Sequence, residues 1–152
     1  LSVKGKYTAD YFHRKLGRLL WENCGMTRSE SQLKNAMEKI PLLAEQFWQQ
    51  LKITGSGKEL NFQLEKAGRV ADFLEFSQLV CQDALNRNES CGAHFREEYQ
   101  SQEGEALRND KSFSYVAAWE YVDSKTNKVE AAKLHKEHLQ HQEVTPSNRS
   151  YK

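Results

Sequence analysis

Glu59-Leu-Asn-Phe-Gln-Leu-Glu-Lys-Ala-Gly-Arg-Val-Ala-Asp-Phe-Leu-Glu-Phe-Ser-Gln-Leu-Val-Cys-Gln-Asp-Ala-Leu-Asn-Arg87 decides the fold. Leu60, Leu64, Ala67, Ala71, Leu74, Gln78, Cys81 and Leu85 recur every three or four residues, so they line one face of a long helix. Val70, Phe73, Ser77, Val80 and Ala84 make a second stripe beside the first. A helix with two apolar stripes needs two partners. At about 1.5 Å per residue it is roughly 40 Å long, enough for two more helices to lie along it as a three-helix bundle.

The sequence before it supplies those partners. Lys52 to Gly57, ending Thr-Gly-Ser-Gly, has the composition of a turn between antiparallel helices. Gly55-Ser-Gly-Lys58 lacks the spacing and the strand-to-helix setting of a phosphate loop, so it reads as a linker. Leu33, Met37, Ile40, Ala44, Phe47 and Leu51 form the seam of a preceding helix, with Thr27 and Glu30 as its expected capping box. Pro41 predicts a kink near Lys39 and Ile40 within a single helix, because the apolar phase continues across it; two helices are the alternative. Residues 8–24 give the remaining helix: Thr8 as N-cap, Asp10 in the first turn, Phe12, Leu16 and Leu19 on the apolar face, Trp21 and Cys24 at its edge, and Gly25 as the stop. His13, Arg14, Lys15 and Arg18 cluster opposite that stripe and read as a solvated face.

After residue 88 the period changes. Glu89-Ser-Cys-Gly-Ala-His-Phe-Arg-Glu-Glu98 is a specific, charged loop where the bundle needs only a turn, so it is expected to face outward to a partner, with fast-exchanging amides. Extended backbone would set His94, Arg96 and Glu98 on one side, suited to pairing with carboxylates across a domain interface. Phe113, Tyr115, Ala117, Trp119 and Tyr121 alternate as a half-buried strand. Asp123 to Lys128 is turn chemistry, and Val129 to His135 is the expected return strand. From about His138 onward the chain reads as an extended tail. The predicted class is mainly α: an antiparallel three-helix bundle of spectrin-repeat type over 1–88, then loop, small β-hairpin and tail over 89–152, packing on the bundle or on other domains.

Composition narrows the function. The 22 basic and 21 acidic residues leave a net charge of +1, which gives no footprint for nucleic acid or anionic lipid. No apolar run approaches the roughly 20 residues that a membrane helix needs, and no stretch of these residues has the charged-then-apolar pattern expected of a secretory leader. The chain opens on Leu1, which suggests a start inside a longer reading frame. Cys24, Cys81 and Cys91 form no Cys-x-x-Cys pair and are odd in number, which points to a reducing compartment. Cys24 and Cys81 sit at helical apolar positions as small hydrophobes; Cys91 sits in the loop, near His94 and Arg96, where cations can activate a thiol. His135, His138 and His141 have a tempting zinc spacing, but in a strand side chains three apart point to opposite faces, so no metal is assigned. Ser90, His94 and Glu97 have the residue types of a hydrolytic triad without its strained strand-to-helix turn.

Three segments carry a resemblance: Asp10-Tyr-Phe-His-Arg-Lys-Leu-Gly-Arg-Leu-Leu-Trp-Glu-Asn-Cys-Gly-Met26, Asp83-Ala-Leu-Asn-Arg-Asn-Glu-Ser-Cys-Gly-Ala-His-Phe-Arg-Glu-Glu98, and Arg149-Ser-Tyr-Lys152. Together they make the chain resemble, over essentially its whole length, the C-terminal part of the bacterial succinate dehydrogenase and fumarate reductase flavoprotein subunit. The loop is the specific part. Many family members read Glu-Ser-Arg-Gly-Ala-His there, and this chain keeps Glu89, Ser90, Gly92, Ala93, His94 and Arg96, with Cys91 in place of the arginine. That cysteine and Trp119-Glu-Tyr121 resemble the branch that works as quinol:fumarate reductase or its succinate-oxidising counterpart.

The resemblance implies an oxidoreductase that interconverts succinate and fumarate through a covalently held FAD. It also implies an iron-sulfur subunit and a membrane anchor subunit as partners, and a cytoplasmic location, peripheral to the inner membrane in the complex. The flavin-linking and catalytic residues of that family belong to upstream FAD and capping domains. No catalytic, cofactor-binding or metal role therefore passes to any residue here, and Glu89, Ser90, Cys91, Gly92, Ala93, His94 and Arg96 are expected as an interface signature. L-Aspartate oxidase shares the loop type and the helical domain and is the near alternative. A stand-alone helical protein-interaction module is the alternative from another class.

Overall fold

The computed structural model describes residues 1–122 and 132–147. Three long helices, α1 (Ala9–Asn23), α2 (Glu30–Gln50) and α3 (Phe62–Asn86), pack on one another around a single core. Phe12, Leu16, Leu33, Ile40, Phe47, Val70 and Leu74 fill it, all at most 2% exposed. The Phe12 ring meets Phe47 edge-on at 5.3 Å and joins α1 to α2.

Helix direction follows from the ends. The segment before α1 runs beside the end of α2, where Gly5 N–H donates to Leu51 O and Lys52 N–H to Tyr7 O. The start of α1 therefore lies at the end of α2, and the two are antiparallel. A Cβ on Gly5 would sit 1.9 Å from the Gln50 carbonyl carbon, so only glycine permits this approach. Asp10 pairs with Lys66 at 2.5 Å, which puts the starts of α1 and α3 together and α3 antiparallel to α2.

Several local expectations are corrected. The capping box of α2 is not Thr27–Glu30: Ser29 is the N-cap and accepts from Gln32 N–H. Thr27 and Arg28 form a short strand, β1, paired in parallel with β2 (Phe95–Arg96), and this extended pairing delays the helix until Glu30. α2 is one helix across Pro41, with Ile40 and Leu43 buried on either side of it. α3 starts at Phe62 rather than Glu59, because the Asn61 side chain accepts from both Gln63 and Leu64 N–H. Leu60, Leu64, Phe73 and Val80 are exposed members of the two stripes, and Trp21 on α1 is 77% exposed rather than packed at a stripe edge. Thr8 precedes α1 without a side-chain cap bond.

The hairpin forms one step later than the alternation suggested. After a single helical turn, α4 (Asp110–Phe113), strand β3 (Tyr115–Glu120) pairs antiparallel with β4 (Lys133–His138), Trp119 opposite Leu134. The turn at Asp123–Lys128, Val129 and Arg149–Lys152 lie outside the described residues. β3 turns Tyr115, Ala117 and Trp119 inward, and the Trp119 indole N–H donates to Asp83 of α3 at 2.7 Å, anchoring the hairpin to the bundle. His135 is held by Glu120 at 2.6 Å and His138 lies edge-on to Tyr115, so these imidazoles are engaged separately.

Candidate docking site at the end of the bundle

A helix leaves its last carbonyls without intrahelical donors. At the end of α3 Arg87 N–H still reaches Asp83 O, but Ala84 and Leu85 need another donor. Arg96 supplies it. Its Nη1 donates to Ala84 O at 3.0 Å and to Leu85 O at 3.3 Å, a cation at the negative end of the helix dipole. Its Nε donates to Glu98 at 2.9 Å, and the other Glu98 oxygen accepts Glu30 N–H at the start of α2. One Arg96–Glu98 pair thus closes the C-terminus of α3 and the N-terminus of α2 with the charges each dipole favours. The Glu98 carboxyl is held below its ordinary pKa by the Glu30 N–H and by Arg96, against the opposing effect of desolvation, the largest single influence on it.

Buried groups hold Arg96 there. The Ser90 hydroxyl accepts Arg96 N–H at 2.8 Å and donates to Arg96 O at 3.1 Å, closing the loop on itself. Glu89 accepts Arg87 Nε on one oxygen and Asn109 N–H on the other, each at 2.8 Å. Arg87 in turn donates to Phe113 O and lies over the Tyr115 ring, which ties the loop to the base of the hairpin. Arg96, Glu89 and Ser90 are each no more than 1% exposed, and among the described residues no buried side-chain polar atom lacks a partner.

This corrects the expectation of a wholly outward loop. The N–H groups of Ser90, Cys91, His94, Arg96 and Glu97 all donate within the chain, and Glu89, Ser90 and Arg96 point inward. Such bonds predict slow rather than fast amide exchange. The exposed part is the tip. Cys91 and His94 exchange both backbone hydrogen bonds, and Gly92 and Ala93 form the exposed turn between them. Gly92 has φ +59°, a backbone that favours glycine at that point. The expected signature residues are therefore brought together in one motif, but in two roles: Glu89, Ser90 and Arg96 build it, and Cys91, Gly92, Ala93 and His94 form its tip.

His94 connects tip and base. Arg28 Nη1 donates to its Nδ1 at 2.9 Å, so Nε2 carries the proton and donates to Arg87 O at 3.0 Å. Burial lowers its pKa, and the charges of Arg28, Arg96 and Arg87 add to the effect, against the opposing Arg87 carbonyl. The Ser90 hydroxyl is engaged by the Arg96 backbone rather than by His94, whose two ring nitrogens face Arg28 and the Arg87 carbonyl. The pH consequence has a definite sign. The unfolded imidazole takes a proton near its ordinary pKa of about 6.5 and the folded one resists it, so this contribution is full above that value and is lost as pH falls toward the folded pKa. Urea midpoints are expected to drop as pH falls from about 7 to about 5, and His94→Gln to flatten that slope; equal slopes in both proteins would rule out His94 as its source.

A second feature lies between bundle and hairpin. A cleft of about 470 Å³ is lined by Trp48, Phe76, Leu79, Trp119 and Tyr121 with carboxylates at its margin. Trp48, Phe76 and Tyr121 are at least 60% exposed, an uncovered aromatic surface of the kind that marks packing against other protein. Sequence reading missed the Arg96 cap and the β1–β2 pair, although Ser29-x-x-Gln32 offered a capping box as good as the one chosen.

The family described as fumarate reductase flavoprotein C-terminal matches residues 13–151. The succinate dehydrogenase flavoprotein subunit of Bacillus subtilis is 25% identical over 151 residues, covering 99% of this chain and 24% of that protein. The L-aspartate oxidase of a Synechocystis species is 32% identical over 100 residues, covering 57% of this chain and 18% of that protein. A solved quinol-fumarate reductase with menaquinol molecules shares the fold at a TM-score of 0.75 and 21% identity, over 97% of this chain and 24% of that one. The chain thus spans no more than about a quarter of the length of these relatives. With all but the first turn of the bundle, the loop and the hairpin within the matched region, the chain belongs to the fumarate reductase flavoprotein C-terminal family.

Proposed function

We propose that this chain is the C-terminal docking domain of an FAD-carrying subunit that interconverts succinate and fumarate. The chemistry belongs to upstream FAD and capping domains, where a covalently held flavin exchanges hydride with the dicarboxylate, and electrons pass to an iron-sulfur subunit and a membrane anchor subunit. The complex sits peripherally on the cytoplasmic face of the bacterial inner membrane; among the described residues no helix is long and apolar enough to cross it. The observation that carries the reading is the preorganised loop. Five buried or half-buried polar side chains hold the Cys91–His94 tip in one shape, which lowers the ordering cost of docking. Residues 89–152 then form the face that meets the upstream domains, and the signature tip is part of it.

The test uses the full-length subunit with its iron-sulfur partner, assayed for flavin absorbance and for turnover of succinate, fumarate and L-aspartate. Gly92→Val is expected to lower recovery of the assembled complex, because valine at φ +59° costs about 1–2 kcal/mol in the left-handed region. Unchanged recovery would remove the docking role of the tip. The identity to the Synechocystis L-aspartate oxidase favours a second reading, in which the upstream domains oxidise L-aspartate. Turnover of aspartate but not succinate would select it.

A further inference from the structure

The cleft of about 470 Å³ between bundle and hairpin joins aromatic walls, Trp48 of α2, Phe76 of α3 and Trp119 and Tyr121 of the hairpin, to a margin of carboxylates. Among the described residues no lysine or arginine lines it. Two of the carboxylates are already engaged: Glu120 holds His135 at 2.6 Å and Glu45 accepts from Gln49 at 3.1 Å. Asp72 and Glu75 are not. Both are exposed on α3, and among the described residues neither has a hydrogen-bond or ion-pair partner for its side chain. The other carboxylates of the helix do have one, Glu65 in Arg69 and Asp83 in the Trp119 indole. The unmet negative charge of α3 therefore lies where its aromatic surface is open. Helical spacing carries the same face further: Gly68, Asp72, Glu75 and Leu79 step by 4, 3 and 4. A Cβ on Gly68 would meet nothing within 4 Å. A glycine there weakens the helix without serving a contact inside the chain, and it leaves room for another backbone to approach beside the carboxylates.

We propose that this cleft seats an arginine side chain from an upstream segment of the same subunit, its guanidinium against the Trp48 and Phe76 rings and its N–H groups shared between Asp72 and Glu75. The choice of arginine follows from the walls. Aromatic faces attract a cation through the ring quadrupole, and a guanidinium is planar, weakly hydrated and able to stack there. Carboxylates three residues apart on a helix are neighbours, about 5–6 Å apart at Cβ, a separation that the forked donors of one guanidinium bridge. The compact ammonium of lysine lacks that fork. An anionic or wholly apolar occupant would strip water from two carboxylates and give them no counter-ion. The source follows from length: most of each relative lies outside the part that this chain matches, and a segment on the same polypeptide acts at a high effective concentration. The assignment rests on the upstream domains proposed above and gives them a second point of attachment, apart from the Cys91–His94 tip.

The test uses the full-length subunit with its iron-sulfur partner. p-Benzoylphenylalanine replaces Phe76, the complex is irradiated and digested, and the adduct is mapped by mass spectrometry. The expected adduct is an upstream peptide that contains arginine, and Asp72→Arg with Glu75→Arg is expected to lower its yield about tenfold or more through like-charge repulsion. An adduct with residues 123–131, with the iron-sulfur partner, with a second copy in a mixture of light and isotopically heavy subunits, or with a peptide that lacks arginine would overturn the proposal. Hydroxyl-radical footprinting of the unsubstituted complex decides the matter even where the benzophenone disturbs folding. Trp48 and Phe76 are expected to be protected there and to oxidise about tenfold faster in the charge-reversed protein, while buried Phe12 keeps its protection in both. Free oxidation of Trp48 and Phe76 in the unsubstituted complex would overturn the proposal. Flavin absorbance and succinate turnover in the same preparation report the proposed activity, so that reading and this one fail separately.

Discussion

Arg96→Ala is expected to lower the unfolding free energy of this chain by about 3 kcal/mol or more, as a reduced urea midpoint at an unchanged slope. Alanine would leave Ala84 O and Leu85 O at the end of α3 without their donor and would empty the volume of a side chain only 1% exposed. Glu98, with its side chain 36% exposed, can turn to water, so the broken ion pair is the smaller part of the loss. Arg96→Lys is expected to recover only part of it, because one ammonium cannot reach two carbonyls and a carboxylate with the fixed fork of a guanidinium. Amide exchange separates the mechanism from a general loss of packing. In Arg96→Ala, protection should fall first at the end of α3 and the start of α2, while residues 9–20 keep theirs relative to global unfolding. A loss under about 0.5 kcal/mol would mean that solvent replaces the cap without penalty.

Phe12→Ala is expected to cost about 3–5 kcal/mol, a similar or larger loss with a different distribution. The ring has no exposed surface and meets Tyr11 edge-on at 5.2 Å and Phe47 at 5.3 Å. Removing it takes away the contact by which α1 grips α2 and leaves a cavity among rigid aromatic neighbours that collapse poorly. Phe12→Leu keeps most of the volume and is expected to lose about 1.5 kcal/mol or less. Thermal unfolding followed by circular dichroism reads both variants. An alanine variant that melts with the parent protein would show that α1 contributes little to the cooperative core.

The contrast between these two residues marks what sequence reading reached. Phe12 was legible because Phe12, Leu16 and Leu19 repeat at helical spacing, and that period reports burial wherever the partner lies. The stripes of α2 and α3 and the alternation of Tyr115, Ala117 and Trp119 were legible for the same reason, and the turn before Asn61 from its Thr-Gly-Ser-Gly composition. The loop was legible only as a specific segment. Its residues carried the family resemblance, but nothing local distinguishes an arginine that faces a partner from one that turns back onto a helix end.

Periodicity and composition by themselves determined three long helices and the existence of a hairpin, because helix and strand periods depend on neighbours within about four residues along the chain. The tertiary structure alone decided the rest. Arg96 answers carbonyls at Ala84 and Leu85, Glu98 answers Glu30 N–H, and Thr27 and Arg28 pair with Phe95 and Arg96. The physical reason is the helix terminus: it leaves backbone groups that must be satisfied, and which distant side chain satisfies them depends on where the bundle returns the chain.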